Sequence, residues 1–442
     1  MGSVKVSFIS LGCAKNLVNT EQMMALCRNA GIELVPEGRE ADVVVINTCG
    51  FIDSAKSEAI DVILATAEQK ALGRVGKILV TGCLSQRYKE EILQELPEVD
   101  GILGTGSYGE IVSALTEVMC GRTVRRFGSI HAPVEELDRV LTTPSHYAYL
   151  RIAEGCDNHC AYCVIPSLRG KYRSRKIEDV IHEAERLADR GVKECIVIAQ
   201  DITRYGTDLY GRKMLPELLR RLCRLDFRWI RLHYLYPDEI TDELIDTIAE
   251  EPKILNYLDL PIQHCNDRVL KAMNRRDTKA ELLALFEKLR ARIPGLVLRT
   301  SLITGLPYED EDAFAELCDF LREVRIERAG VFPYSPEEGT PAANMPNRVD
   351  TAEAERRAEL VVDVQSEIMD EFNESRMGET VEVLCDGFDS QAMCYVGRSY
   401  AESPEIDGRI YFTADREIDP GRFVMVRITG AMDGELTGEL EE

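Results

Sequence analysis

No apolar run in these 442 residues approaches the ~20 that a bilayer-spanning helix needs. The N-terminus also lacks the long apolar core of a signal peptide; Met1 to Ser10 reads instead as a strand. A cytoplasmic protein is therefore expected, with no membrane partner, and in that compartment thiols stay reduced. Positive charge is scarce: 53 Lys and Arg stand against 77 Asp and Glu, a net charge of -24. Such a surface repels nucleic acid unless a local basic patch overrides it, and it attracts basic partners. The deficit is sharpest from Met377 to Glu442, where fifteen acidic residues face five arginines and no lysine, a net charge of -10.

Cysteine, by contrast, is plentiful. Fourteen cysteines in a reducing compartment point to metal ligation or catalysis rather than disulfides. The length suggests about three domains at ~150 residues each. In the first, 1–130, β-branched runs at Val4 to Ile9, Val43 to Ile46 and Lys77 to Val80 alternate with helical patterns at Glu21 to Cys27, Ser54 to Gln69 and Lys89 to Leu96. Each run ends in a small residue and a cysteine: Gly12-Cys13, Thr48-Cys49 and Gly82-Cys83. In a parallel α/β sheet the loops after the strands share one edge, so Cys13, Cys49 and Cys83 are expected to converge. Three small buried core residues would also fit, since free Cys often packs inside.

His131 to Ser145 reads as a polar linker. Strands follow at Ala148 to Ala153, Glu194 to Ala199, Trp229 to Leu235, Tyr257 to Pro261, Leu296 to Ile303 and Arg328 to Phe332, with amphipathic helices between them. Six βα units in this span predict an open, partial (βα)6 parallel barrel, since eight take ~250 residues. Ala352 to Glu374 reads as a charged connector helix, so the second domain runs 145–374. The third, 377–442, has short β runs with Gly and Asp turns and reads as a small antiparallel barrel.

Cys156, Cys160 and Cys163, spaced C-x3-C-x2-C, fall in the loop after the first barrel strand. Three thiolates this close suit three irons of a cubane cluster, and the missing fourth local cysteine leaves one iron open for a small molecule. Zinc completed by His159 is the alternative, but zinc motifs come as two Cys or Cys/His pairs and no second pair is present.

These motifs resemble those of the radical S-adenosylmethionine (SAM) methylthiotransferases. The resemblance rests on Glu154 to Cys163, Ile165 to Gly170 and Arg173-Ser174-Arg175. It extends to Ser10 to Asn16, Asn47 to Ile52 and Thr81 to Tyr88, to Ala199-Gln200-Asp201, Tyr234 to Pro237, Met273 to Arg276 and Val331 to Ser335, and to a C-terminal segment similar to a TRAM domain. Gly305-Leu306-Pro307-Tyr308-Glu309 departs from the usual Gly-Phe-Pro-Gly-Glu, and Ala14 stands where proline is commoner. The resemblance implies two 4Fe-4S clusters, a SAM-binding one on Cys156, Cys160 and Cys163 and a sulfur-carrying one on Cys13, Cys49 and Cys83. It implies a radical that abstracts hydrogen from an unactivated carbon. The nearest branch acts on a ribosomal protein, which implies an aspartate of the twelfth small-subunit protein, a basic partner, methylthiolated at its β-carbon.

Candidate SAM contacts are Tyr162, Gln200 and Arg175, with Arg173 beside it. For Tyr162 a filler role competes, and for the arginines a solvated surface. Gly104 to Gly109 matches a dinucleotide fingerprint but lacks its acidic partner and reads as a tight turn. His264 could face substrate or be structural, and Cys27, Cys120, Cys195, Cys223, Cys265, Cys318, Cys385 and Cys394 read mostly as core. Asp386, Asp389, Glu402, Glu405 and Asp407 are expected to meet the basic partner. A transfer RNA methylthiotransferase is the rival reading, and its RNA grip would need the Lys and Arg that the last domain lacks. An electron carrier or iron sensor would share the clusters but not SAM cleavage.

Overall fold

The computed structural model describes residues 4–441. Met1, Gly2 and Ser3 of the expected first strand, and Glu442, lie outside them. A six-stranded parallel sheet holds Glu33–Leu34, Lys5–Ser10, Ala41–Thr48, Val75–Gly82, Gly101–Leu103 and Val124–Arg126, in that order across the sheet. Its central strands are apolar on both sides, as a doubly covered parallel sheet requires. Val43, Val45 and Leu79 pack under helices Ala14–Asn29 and Ile111–Met119, while Val44, Ile46, Ile78 and Val80 pack under Asp53–Ala71. Two helical patterns differ from expectation. The first helix begins directly after Cys13 rather than near Glu21. The run from Lys89 to Leu96 is broken at Lys89, whose φ of 47° ends helix Cys83–Tyr88 before Glu90–Glu95 begins.

Six parallel strands, Tyr147–Arg151, Glu194–Ile198, Trp229–Leu232, Ile254–Asp259, Val297–Thr304 and Arg328–Pro333, pair in chain order and form the open barrel. Leu150, Val197, Leu232, Leu258 and Leu298 pack outward under the helices. The alternate residues turn inward. At one end Tyr149, Ile196 and Ile198 cluster with Ala14, Leu17 and Val18 of the first domain's helix. At the other end Trp229, Tyr257 and Val297 meet Leu384 and Ala401. The barrel is therefore closed off by its neighbours on both sides.

The expected linker is a pinned strap. Buried Glu21 accepts from Thr142 N at 2.7 Å and pairs with Arg139 at 3.2 Å, and Arg139 reaches on to Glu183 at 2.9 Å. Helix Thr351–Ser375 packs on the barrel, with Asp350 capping its start. The last domain is a closed barrel of Thr380–Asp389, Cys394–Arg398, Ile410–Thr413, Glu435–Leu440 and Phe423–Met432. It is not wholly antiparallel as expected: Ile410–Thr413 pairs parallel to Glu435–Leu440. That parallel seam is where the final strand closes the barrel.

Three of the acidic side chains singled out for a basic partner, Glu402, Asp386 and Asp407, are turned inward, whereas Glu405 is exposed. Glu402 is 1% exposed and pairs with Arg376 at 2.5 Å and Arg328 at 3.1 Å. Asp386 meets His146 at 2.8 Å and Arg398 at 2.9 Å. Asp407 accepts from Tyr257 Oη at 2.6 Å, and Glu405 accepts from Tyr147 and Tyr149. Asp389 accepts two N–H groups of its own turn. Meanwhile Arg409, Arg416, Arg422 and Arg427 are exposed. Composition thus overstates the charge this domain shows to solvent.

At the heart of this joint, Glu194 accepts from Arg231 and from Arg398, each at 2.6 Å, and both Arg231 and Glu194 are fully buried. Removing one partner of such a network strands the others without water. Glu194→Ala should therefore cost ~3–5 kcal/mol in urea unfolding and expose the last domain to limited proteolysis. Glu402 adds a pH dependence. Burial raises its carboxyl pKa, but Arg376 and Arg328 outweigh this and hold it at about 2, below the usual 4.5. Its contribution is present above pH 4.5 and should be lost as pH falls toward 2. The measurement is melting temperature against pH, with Glu402→Gln flattening the acid limb.

Candidate functional site

Two sets of cysteines meet where the first sheet faces the barrel. In the first domain, Cys13 opens a helix, Cys49 follows strand Ala41–Thr48, and Cys83 follows strand Val75–Gly82. Their small neighbours have a steric cause. Gly82 has φ of 97°, and a Cβ there would lie 2.4 Å from Asn47 Oδ1 and 2.5 Å from Thr48 O. Gly12, at φ 84°, would bring a Cβ to 2.7 Å from that of Cys49. Only glycine lets these turns close so tightly. Asn16 ties the edge together, donating to Leu11 O at 3.0 Å and Thr48 O at 2.9 Å.

In the barrel, Cys156, Cys160 and Cys163 lie on a loop bent back at Gly155, whose Cβ would meet Lys171 O at 2.2 Å. Three motifs distant in sequence hold this loop. Asp201 accepts from Asn158 Nδ2 at 2.9 Å, and Tyr236 Oη lies 3.4 Å from Cys160 Sγ. Met273 O accepts from Ala161 N at 2.9 Å, and Asn274 Nδ2 donates to His159 O at 2.9 Å. Arg275 lies over the Tyr236 ring at 4.0 Å.

The two sets adjoin. Cys83 and Phe51 pack on Val164 and Leu168, directly after Cys163. Beside them Arg169, buried, donates to Asn16 Oδ1 and to Asn19 Oδ1 at 2.8 Å on one side. On the other it meets Glu154 Oε2 at 3.4 Å, and its charge works against the burial that raises the Cys83 thiol pKa. Glu154 in turn accepts from Arg151 at 2.7 Å and from Gln200 Nε2 at 2.7 Å. A cavity of about 80 Å³ lies against this bridge, lined by Arg151, Glu154, Arg169, Arg173 and Tyr108, with the Tyr108 hydroxyl buried and unpartnered. Sequence alone does not mark Arg169, within the Ile165 to Gly170 motif, as a site residue. Its signal was its place six residues after Cys163.

Electrostatics separate the thiols. Burial raises the Cys13 pKa, but Lys15, Arg169 and the backbone N–H groups of Asn16 and Lys15 more than offset it and leave it below its usual value. Cys49 is pushed up to about 12 by burial and then by Cys83 and Cys13. Burial pushes Cys156 up to about 11 and Cys163 higher still. Among the described residues, no three His, Cys, Asp or Glu side chains gather as ligands of one metal ion. A cubane cluster instead takes one thiolate per iron.

The other candidates divide. Gln200 lies at the site, its Oε1 buried without a partner. Tyr162 packs its ring with Met273, Leu306 and Val269, on the substituted Gly305 to Glu309 loop. Arg175 does not face the site: Glu136 and Glu183 pair with its guanidinium, and Arg151 O accepts from it at 2.6 Å. Arg173 donates to Arg169 O and Lys171 O, its Nε unpartnered. His264 is fully buried, accepting from Asn266 N at 3.0 Å and lying 3.4 Å from Glu309, a structural setting. Gly104 and Gly106 are turn residues pressed on Gln86 and Gly128. Cys27, Cys195, Cys265, Cys318 and Cys385 are core, whereas Cys120 is exposed.

Family models match three stretches: an uncharacterized protein family, UPF0004, over 5–104, the radical SAM superfamily over 150–321, and a TRAM domain over 377–440. Proteins named ribosomal protein uS12 methylthiotransferase RimO align along the full length. That of Clostridioides difficile is 46% identical over 99% of both chains. That of Lachnoclostridium phytofermentans is 48% identical over 99% of this chain and 100% of its own. The chain belongs to the RimO family. Among solved structures, the radical SAM methyltransferase TsrM from Kitasatospora setae, with cobalamin and a [4Fe-4S] cluster bound, superposes with a TM-score of 0.57 at 13% identity. The match covers 86% of this chain and 79% of that one, a likeness of fold. The RimO-type chain thus carries all three parts in one architecture. Among its described residues no helix is long and apolar enough to cross a membrane.

Thiolate character and access set alkylation rates. In the metal-free protein at pH 7.5, Cys13 should be alkylated by iodoacetamide before Cys49, Cys83, Cys156 and Cys163, as peptide mass spectrometry would show. Arg169→Gln should slow Cys13 several-fold.

Proposed function

We propose that this chain is a radical SAM methylthiotransferase that converts an aspartate of ribosomal protein uS12 to 3-methylthioaspartate in the cytoplasm. The full-length identity to RimO proteins carries this reading. Cys156, Cys160 and Cys163 would hold one 4Fe-4S cluster and Cys13, Cys49 and Cys83 a second. The donor sets suit iron–sulfur clusters, being soft thiolates on rigid strand-end turns with no fourth local cysteine. When bound, the clusters and SAM supply a carbon-centred radical and a sulfur group.

The chain's own residues do the positioning. Asp201, Tyr236, Met273 and Asn274 would fix the SAM-side loop, and Gln200, with an unused buried carbonyl, would orient SAM from the barrel edge. The Tyr162 backbone lies within the same loop, its ring packed below. Arg169 would hold the two thiolate sets at one fixed separation. The inward packing of Ala14, Leu17 and Val18 on the barrel would exclude water from a radical between them. Arg175 is left to the strap.

The last domain would steer the basic protein with its exposed carboxylates, among them Asp415, Glu417 and Asp419 on one connection. No stable nucleic acid partner is proposed.

Anaerobically reconstituted enzyme should carry about eight irons. Replacing Cys156, Cys160 and Cys163 with Ala should halve the iron and abolish SAM cleavage; replacing Cys13, Cys49 and Cys83 should halve it and leave cleavage measurable. Either triple variant with full iron would overturn the ligand assignment. Mass spectrometry of uS12 should show one methylthio group, dependent on both sets; modification of transfer RNA instead would favour the rival. Reversing Asp415, Glu417 and Asp419 to Lys should weaken uS12 binding several-fold at low salt and little at high salt.

A further inference from the structure

Lysine is almost never buried without a partner. Lys15, in the first turn of helix Ala14–Asn29 and two residues after Cys13, is 8% exposed. Its ammonium lies 3.4 Å from the centre of the Tyr234 ring. Among the described residues no carboxylate forms an ion pair with it. Two anionic groups act on it electrostatically: the Cys13 thiolate, which a bound cluster would take up, and the Asp259 carboxylate, which pairs with Arg299 at 2.9 Å and accepts from Tyr234 N at 3.2 Å. A desolvated cation on an aromatic face is only partly satisfied, and the group that completes it is an anion.

Its place makes that anion a substrate group. Lys15 belongs to the helix that covers the inner side of the barrel, between the Cys13 turn and the strand end bearing Tyr234. We propose that Lys15 is the specificity residue of this enzyme and receives the side-chain carboxylate of the amino acid to be modified. This rests on the reading that the substrate is an aspartate. In aspartate the β-carbon is bonded directly to the carboxylate carbon, so gripping the carboxylate fixes the CH2 one bond away, beside Cys13. A nucleobase offers no carboxylate, and against it the buried ammonium would stay unpaired. The same residue therefore selects for the acidic substrate and against the uncharged one.

The test uses reconstituted full-length enzyme and fluorescent peptides copying the uS12 target loop with Asp or Asn at the modified position. Binding is read by anisotropy, with iron content and SAM affinity measured alongside. The wild-type enzyme should prefer the Asp peptide by about 10- to 100-fold, the worth of one charged hydrogen bond. Lys15→Met should bring that ratio near one, and Lys15→Arg should restore most of it. A ratio unchanged in Lys15→Met overturns the proposal. So does loss of half the iron, or of SAM affinity, in that variant, since Lys15 would then serve a cofactor. If the wild-type enzyme modifies neither peptide nor whole uS12, the function proposed above falls; if it modifies the Asp form while discrimination ignores Lys15, only this inference falls.

Discussion

One guanidinium fixes the distance between the two halves of the site. Arg169 is buried between domains, with asparagines of the first on one side and the Glu154 carboxylate of the barrel on the other. A charge so placed is tolerable only while all its partners stay put. Glu154 shows the same dependence: burial alone would raise its carboxyl pKa, yet Arg169 and Arg151 hold it below the usual value. The domain joint is thereby specified by charge geometry as well as by the apolar contact of Cys83 with Val164 and Leu168. Chemistry that passes a reactive species between two centres needs that kind of fixed spacing.

The opposite end of the barrel is built on the same rule with other residues. Arg231, Glu194 and Arg398 form a dry chain, and Glu402 joins Arg328 and Arg376 beside it. Buried ion pairs of this kind do more for uniqueness of docking than for net stability. They also revise what the strongly acidic last domain presents. Glu402, Asp407 and Glu382 pair with arginines outside the domain, so long-range attraction of a basic protein falls to its other, exposed carboxylates, Asp415 and Glu417 among them.

The strand-end placement of Cys13, Cys49 and Cys83 was legible because apolar runs ending in Gly-Cys or Thr-Cys have few structural meanings, and Cys156, Cys160 and Cys163 were legible from their spacing. The barrel strands were legible for the same reason. Strands such as Glu33–Leu34 and Val124–Arg126 were not, being too short for any periodicity. Cys394–Arg398 and Glu435–Leu440 carry glycine and polar residues and owe their pairing to barrel closure. Arg175 looked like a site residue because it neighbours the motif, but strand alternation turns it outward to the strap. Arg169 and Lys15 stand within the family motifs, but only tertiary structure shows that one is a bridge and the other a buried cation.

The joint between Glu194 and Arg398 spans 204 positions of chain. Until the last strands of the small barrel exist, Arg231 and Glu194 face an open, hydrated barrel end. During synthesis the catalytic core therefore waits, wet and unsealed, for the C-terminus to arrive. Contacts of such long sequence separation form late and slowly. The final segment acts on its own chain as a closing stopper, and a chain that ends before it would leave one end of the barrel exposed rather than form a smaller working enzyme.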